Sequence, residues 1–191
     1  MQKIVLLLIL IMNNSDMFKI LNNPKTDLYY EIKNTVISSN FSWFWTPTSV
    51  ENYDNQTNDQ LNVPFYSHIF LTRPNATDEK CPLPSSNLLQ SVSRVFIEIL
   101  ENNNINVNCF LRLCANCVHP QEKIYNSVPH VDHNFPHQNA LIYLTNAGGK
   151  TFIGNEYHNP KEDDVICFEG QRHYMQTPEK ERRIVLVATF I

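Results

Sequence analysis

The stretch Val128–Leu144, VPHVDHNFPHQNALIYL, carries three histidines and one aspartate within eight residues: His130, Asp132, His133 and His137. In an extended segment residues i and i+2 point the same way, so His130 and Asp132 are expected on one face, about 7 Å apart at their backbones. Both side chains can then close on one ion. His133 is expected to point to the other face.

Two histidines and one carboxylate on one side of an ion leave the opposite coordination positions open, as in non-haem Fe(II) oxygenases. The pair therefore needs one more histidine. His173 is the best candidate, because it follows a strand-like run and Gly170 and precedes the last strand-like run of the chain. His133 and His137 have an i, i+4 spacing that suits zinc on a helix, but Pro136 between them breaks such a helix.

A second metal hypothesis comes from Cys109, Cys114 and Cys117, whose C-x4-C-x2-C spacing occurs in plant-type ferredoxins. The segment alternates like a strand, which places Cys109 and Cys117 on one face and Cys114 on the other. Core cysteines are therefore expected, and a zinc or iron–sulfur protein is a minor alternative. The odd total of five cysteines also favours a reducing compartment.

Two amphipathic helices are predicted, over 24–36 with Thr26 as N-cap and over 86–101. Strand-like runs occupy 41–45 and 63–71. Short strands bounded by turn residues dominate the second half: 107–114, 128–132, 140–145, 150–153, 164–168, 172–175 and 183–191. This spacing predicts a barrel or jelly roll in a single domain, with a glycine hairpin at TNAGGKT.

The segment HVD…ALIYLTNAGGKTF…DDVICFEGQRH…P…RRIVLVATF resembles the double-stranded β-helix core of the 2-oxoglutarate- and Fe(II)-dependent dioxygenases, particularly their prolyl-hydroxylase-like branch. The similarity covers residues 128–191, about a third of the chain. It implies a mainly β, cupin-like jelly roll with flanking α-helices. Residues 1–191 would form one domain, in which 1–106 supply N-terminal helices and supporting strands and 107–191 form the β-helix core.

Carried over position by position, the resemblance implies that His130, Asp132 and His173 are the catalytic iron ligands. Arg183, ten residues after His173, would grip the distal carboxylate of 2-oxoglutarate through a bidentate fork. Tyr143 would share that carboxylate. The remaining candidates for the cosubstrate pocket are Thr151, of the glycine hairpin, and Arg112 or Asn116, on a strand that resembles a pocket-lining strand of related enzymes.

Arg182 competes with Arg183, because the family spacing varies by one residue. A strand puts Arg183 on the face of Val185, which leaves room in the barrel, whereas Arg182 shares a face with Leu186 and Phe190. Arg183 is therefore preferred. Some family members have a serine where this chain has Val185. One of the family's cosubstrate-binding side chains is therefore absent at this position.

The implied reaction hydroxylates a C–H bond with O2 and 2-oxoglutarate and gives succinate and CO2, with ascorbate as a candidate additional cofactor. A protein side chain such as a prolyl group is the favoured substrate, and a small molecule is next. Specificity is expected on loops 46–64, 72–84 and 133–139. A nucleic-acid demethylase of the same fold and a non-catalytic cupin-like metal- or sugar-binding module remain alternatives; the module would not require Arg183 to face inward.

The net charge of the chain limits the classes of partner that it could bind. The formal charge of −4 gives no basic surplus for a phosphate backbone, so duplex nucleic acid is not expected as a partner. The apolar run Ile4–Met12 is too short to span a bilayer, and NNSD offers no signal-peptidase site. Residues 1–16 are thus either a leader or a mis-assigned start. A cytoplasmic location is predicted over secretion, and the sequence leaves the oligomeric state open.

Overall fold

The computed structural model describes residues 16–47, 60–61, 63–74 and 81–191. The predicted leader therefore lies outside the described residues, apart from Asp16. The elements in chain order are β1 Lys19–Leu21, α1 Asp27–Ile37, β2 Phe44–Thr46, β3 Gln60–Leu61, β4 Phe65–Leu71, α2 Leu89–Asn102, β5 Phe110–Val118, β6 Asn126–Ser127, β7 Gln138–Tyr143, β8 Thr151–Ile153, β9 Glu156–His158, β10 Val165–Glu169, β11 His173–Met175 and β12 Arg183–Phe190.

A large antiparallel sheet is the frame of the fold. Its seven strands lie in the order β1-β10-β7-β12-β5-β4-β2, so strands from the N-terminal part extend both edges of a centre built by the C-terminal half. A three-stranded sheet, β11-β8-β9, and a parallel pair, β3-β6, complete the described strands. Hydrophobic side chains of both larger sheets meet between them, and this interior layer contains Leu141, Tyr143, Ile153 and Val185.

The two helices cover the outer face of the large sheet. Thr26 caps α1, because its hydroxyl accepts a hydrogen bond from the Tyr29 N–H. Ile32 of α1 and Phe96 of α2 are buried in one cluster with Leu113 of β5. The alternation along each strand thus separates an outer, helix-covered layer from an inner layer. The mainly β jelly roll with flanking helices, predicted from the sequence, is confirmed.

Several local predictions differ from the structure. Residues 128–132 were expected to form a strand, but only an isolated bridge between His130 and His173 occurs there. The short strands β1 and β9 were not predicted, because three residues carry too little periodicity to be recognised. None of the helices in the described ranges has the length and apolar character needed to cross a membrane.

The cysteine prediction is correct for two of the three residues. Cys114 is buried in the inner layer and Cys117 in the outer layer, as strand alternation requires. Cys109 is exposed, so its expected place in the core is wrong. The reason is that Cys109 lies just before β5, which begins at Phe110. The Cys109 N–H donates a hydrogen bond to the carbonyl of Ile191, at the end of the chain.

Candidate active site

The two histidines and the aspartate picked out in the sequence come together in space. Ligand atoms of His130, Asp132 and His173 all lie within 4.8 Å of one another, and Nε2 of His173 is 3.4 Å from Oδ2 of Asp132. In the described part of the chain this is the one such group of three histidine, cysteine or acidic side chains. The arrangement has the donor set that suits a divalent transition metal.

Main-chain hydrogen bonds position both histidines. The His130 N–H donates to the His173 carbonyl and the His173 N–H donates to the His130 carbonyl, each over 2.9 Å. Nδ1 of His130 lies 3.2 Å from the Val128 carbonyl, and Nδ1 of His173 lies 3.0 Å from the Gln171 carbonyl. A carbonyl only accepts, so each Nδ1 carries the proton and each Nε2 presents a lone pair to an ion.

The electrostatics of the group favour the protonation states that bind a metal. Burial, together with the neighbouring His173, lowers the pKa of His130 to about 4. Burial raises the pKa of Asp132, but the charges of His173, Arg73 and Arg112 outweigh it and lower the value to about 2. At neutral pH His130 is thus neutral and Asp132 is ionised.

Two arginines approach Asp132. Nη2 of Arg73 donates to Oδ1 of Asp132 over 2.6 Å, and Nη1 of Arg112 lies 3.6 Å from the same oxygen. Arg73 follows β4 in a loop expected to carry specificity, yet nothing in the sequence singled it out. A lone arginine in a polar loop has no spacing signal, so only the fold reveals its position.

A cavity of about 790 Å³ opens beside the metal-ligand group, between the two larger sheets. Its wall includes the three ligand residues together with Thr151 and Arg183. Arg112 and Asn116, which the sequence marked as secondary candidates, also line it. These candidate residues therefore share one space, although they are spread from β5 to β12. Tyr143 is not among the residues that line it.

Arg183 lies at one end of this space and is only 7% exposed. Its Nη2 donates to the Thr151 hydroxyl over 2.8 Å and its Nε to the Gly149 carbonyl over 3.3 Å. The Tyr143 hydroxyl is 2.8 Å from that of Thr151. Burial lowers the pKa of Arg183 and raises that of Tyr143. No carboxylate of the described residues forms an ion pair with Arg183, so the pocket is prepared for an anion.

The neighbouring Arg182 points elsewhere. Its Nη2 is 3.4 Å from the carbonyl of Ile37, at the end of α1, on the outer side of the sheet. Strand alternation therefore places Arg183, and not Arg182, in the cavity. Behind Tyr143 lies His158, which bonds Asp164 over 3.1 Å and whose ring centroid is 5.4 Å from the Tyr143 ring. His158 therefore has a structural role beside Tyr143.

The other two histidines of the opening motif lie beside the group, not in it. Nε2 of His133 is 2.8 Å from the Thr189 hydroxyl, and Nδ1 of His137 is 2.7 Å from the Phe135 carbonyl. The chain leaves the extended conformation after Asp132, so His133 lines the same cavity instead of facing away as predicted.

No protein-family model and no curated protein matches the sequence. Solved structures match the fold. An oxidoreductase of the 2OG-Fe(II) oxygenase family from Burkholderia pseudomallei has a TM-score of 0.61 at 11% identity, over 91% of this chain and 85% of that one. The chain has the fold of the 2-oxoglutarate–Fe(II) oxygenases.

Two prolyl hydroxylases share the oxygenase fold. One, from Trichoplax adhaerens, was solved with a peptide fragment of the hypoxia inducible factor oxygen degradation domain; it has a TM-score of 0.58 at 12% identity, over 93% of this chain and 84% of that one. A prolyl-4-hydroxylase from Pseudomonas putida has a TM-score of 0.50 at 11% identity, over 97% and 98% of the two chains. The sequence resemblance and the fold therefore agree.

Proposed function

We propose that this protein is a 2-oxoglutarate- and Fe(II)-dependent oxygenase that hydroxylates a C–H bond. The observation that carries the proposal is one cavity holding the His130, Asp132 and His173 group and, at one end, the buried cation Arg183. A site for a divalent ion and a site for a dianion thus share one space. This is the combination that an iron enzyme with a dicarboxylate cosubstrate requires.

The residues present fit Fe(II). Two imidazoles and one ionised carboxylate supply three ligands, and the cavity beside them leaves space for further ligands. Bound iron and 2-oxoglutarate supply the oxidising chemistry, in which one oxygen atom of O2 enters the substrate C–H bond and the other enters succinate as CO2 is released. The single carboxylate limits the negative charge beside a dianionic cosubstrate.

The residues at the opposite end fit 2-oxoglutarate. Arg183 offers a planar fork of donors that matches a carboxylate, and its positive charge offsets the charge of the cosubstrate. The hydroxyls of Thr151 and Tyr143 lie within the same hydrogen-bonded set. We assign the distal carboxylate to these three side chains. The buried walls at Val185 and Val187 exclude water from the stem of the ligand.

The alternatives are less well supported. A non-catalytic metal- or sugar-binding module gives no reason for a guanidinium in the interior of the barrel, which is costly to bury without an anion. A nucleic-acid demethylase usually has a second arginine further along the last strand, and RRIVLVATFI has none. We propose a protein side chain such as a prolyl group as the substrate, with a small molecule as the second candidate, and a cytoplasmic location.

The proposal is tested by O2-dependent conversion of 2-oxoglutarate to succinate. Purified protein is loaded anaerobically with Fe(II) and exposed to air with 2-oxoglutarate, with and without ascorbate, and with prolyl peptides or free amino acids. We expect succinate formation that needs iron and rises with a true substrate, and none with Asp132→Ala. Succinate formed equally by Asp132→Ala would show that the activity is not from this site.

A further inference from the structure

Arg112 is a second buried cation in the cavity, and neither the metal nor the cosubstrate assigned above uses it. Its side chain is 14% exposed, and it extends from β5 into the space beside the metal-ligand group. No described residue accepts a hydrogen bond from its guanidinium, since the Asp132 oxygen at 3.6 Å is beyond hydrogen-bond distance. Its guanidinium faces the cavity, so its N–H donors are open to a ligand that enters there.

The charges of the loaded site do not require Arg112. A divalent ion and Arg183 carry three positive charges, which match the one negative charge of Asp132 and the two of 2-oxoglutarate. Arg73 already donates to Asp132 over 2.6 Å, and about a third of its side chain is exposed to solvent. Arg73 and Arg112 therefore both carry positive charge beyond this balance. Arg112 is the more buried of the two, so it is the better placed to attract an anion inside the cavity.

One residue in the same cross-strand row as Arg112 also lacks hydrogen-bond partners. Thr189 of β12 is the register partner of both Arg112 and Asn139, so the three residues form one row across the inner face of the sheet. Asn139 is 1% exposed, and among the described residues neither its amide oxygen nor its amide nitrogen has a hydrogen-bond partner. This row lies six residues along β5 from Val118, the partner of Arg183, and is thus separate from the Arg183 end.

We propose that Arg112 binds a carboxylate of the substrate, so that the substrate class is a carboxylic acid. This inference rests on the function proposed above and narrows it. Two sources supply that chemistry: a free amino acid, through its own carboxylate, or a peptide with an acidic side chain or C-terminus next to the target residue. The guanidinium orients the substrate by a charge-assisted hydrogen bond close to the metal.

The test measures binding, not turnover. Protein loaded with Zn(II), a redox-inert ion, and saturated with 2-oxoglutarate is titrated calorimetrically with matched pairs of probes. One arm compares free and N-acetylated L-amino acids, including proline, with their C-terminal amides. The other arm compares prolyl peptides that carry aspartate beside the proline with peptides that carry asparagine there. We expect a carboxylate in one arm to bind about tenfold to a hundredfold more tightly than its neutral partner.

Variants link that preference to the residue. Arg112→Gln should remove the preference, Arg112→Lys should keep part of it, and Arg94→Gln, on the exposed face of α2, should leave it intact. Zinc content and 2-oxoglutarate affinity are measured on the same samples, as evidence that the variants fold. Equal binding of acid and amide by the parent protein in both arms overturns the inference. The inference is also overturned if Arg112→Gln lowers the affinity for 2-oxoglutarate by the same factor as the affinity for the acidic probe, because Arg112 would then serve the cosubstrate.

The same samples separate this inference from the function on which it rests. If the parent protein fails to bind 2-oxoglutarate, the oxygenase proposal is wrong, whatever the probes show. If it binds 2-oxoglutarate but does not distinguish acid from amide, the oxygenase proposal stands and the substrate class is wrong.

Discussion

His130 and His173 hold each other in place through their main chains. Their reciprocal N–H to carbonyl hydrogen bonds fix the two backbones, and a local carbonyl fixes the tautomer of each ring. Asp132 is positioned differently, by the Arg73 guanidinium at 2.6 Å. These hydrogen bonds hold the three ligand residues in place, which lowers the ordering cost of binding a metal.

Removing one ligand should remove metal binding. We expect His130→Ala and Asp132→Ala to lose stoichiometric Fe(II), and Asp132→Glu to fail as well, because one added methylene misplaces the oxygen. His133→Ala is the matched control and should retain iron, since its Nε2 bonds Thr189. Iron content after anaerobic loading and desalting measures this. Iron loss from His133→Ala equal to that from His130→Ala would mean that the wrong histidines are assigned.

Stability of the metal-free protein should fall on mild acidification. The folded pKa of His130 is lowered to about 4 from 6.5, so between these values the unfolded chain binds more protons than the folded one. The stability contribution is complete above pH 6.5 and is lost toward pH 4, by up to about 1.4 kcal/mol per pH unit.

Urea unfolding of chelator-treated protein at several pH values between 7 and 4.5 measures this slope. His130→Gln should give a shallower slope than the parent protein. A slope unaffected by His130→Gln would contradict the burial of a neutral imidazole at this position.

The loop between β7 and β8 shapes the cosubstrate end. It joins the two larger sheets, so the hairpin predicted from its glycines is wrong. Gly148 and Gly149 both have positive φ, +73° and +78°. The Gly149 carbonyl accepts a hydrogen bond from Nε of Arg183. A Cβ at Gly149 would lie 2.6 Å from the Gln176 carbonyl oxygen and 3.2 Å from Cδ of Arg183, whereas one at Gly148 meets nothing within 4 Å. The two glycines therefore share a backbone requirement but differ in their surroundings.

This difference predicts two distinct outcomes for alanine substitutions. Gly148→Ala should cost about 1–2 kcal/mol of stability, from the positive φ alone, and leave 2-oxoglutarate affinity unchanged. Gly149→Ala should cost more and also weaken 2-oxoglutarate, because Arg183 must shift. Urea unfolding and calorimetric titration on both variants measure the two effects. Equal 2-oxoglutarate affinities would show that Gly149 does not support the arginine.

Several features of the fold and of the site could be predicted from the sequence. The helices, the strand phase that turns Arg183 inward, and the i, i+2 pairing of His130 with Asp132 follow from periodicity. The position of Arg73 and the unmet hydrogen bonds of Arg112 and Asn139 do not, because they depend on which strands become neighbours. Register between distant strands is a tertiary property with no local signal.

In the molecule as a whole, contacts of the helix-covered outer face stabilise the large sheet whose inner face lines the cavity. Lys33 of α1 is buried and pairs with Asp163 and Glu162, in the loop before β10. The Tyr29 hydroxyl donates to the same Asp163 over 2.6 Å. These contacts tie the helix-covered face to the strand that neighbours β7, so the helices stabilise the sheet that carries Tyr143. The large sheet thereby provides a rigid support for the cavity on its other side.

In the function proposed for this protein, one cavity binds a divalent ion and 2-oxoglutarate, the latter through Arg183. The test is an anaerobic titration of 2-oxoglutarate into Fe(II)-loaded protein. Binding is measured by calorimetry and by the visible absorption band of the chelate. We expect saturable binding that Arg183→Lys weakens by about 1.5–3 kcal/mol, because the charge is kept but the bidentate fork is lost. Iron affinity should be unchanged, and Arg182→Lys should bind 2-oxoglutarate like the parent. Absence of binding by the parent protein at millimolar 2-oxoglutarate, or the same loss from Arg182→Lys as from Arg183→Lys, would contradict the account.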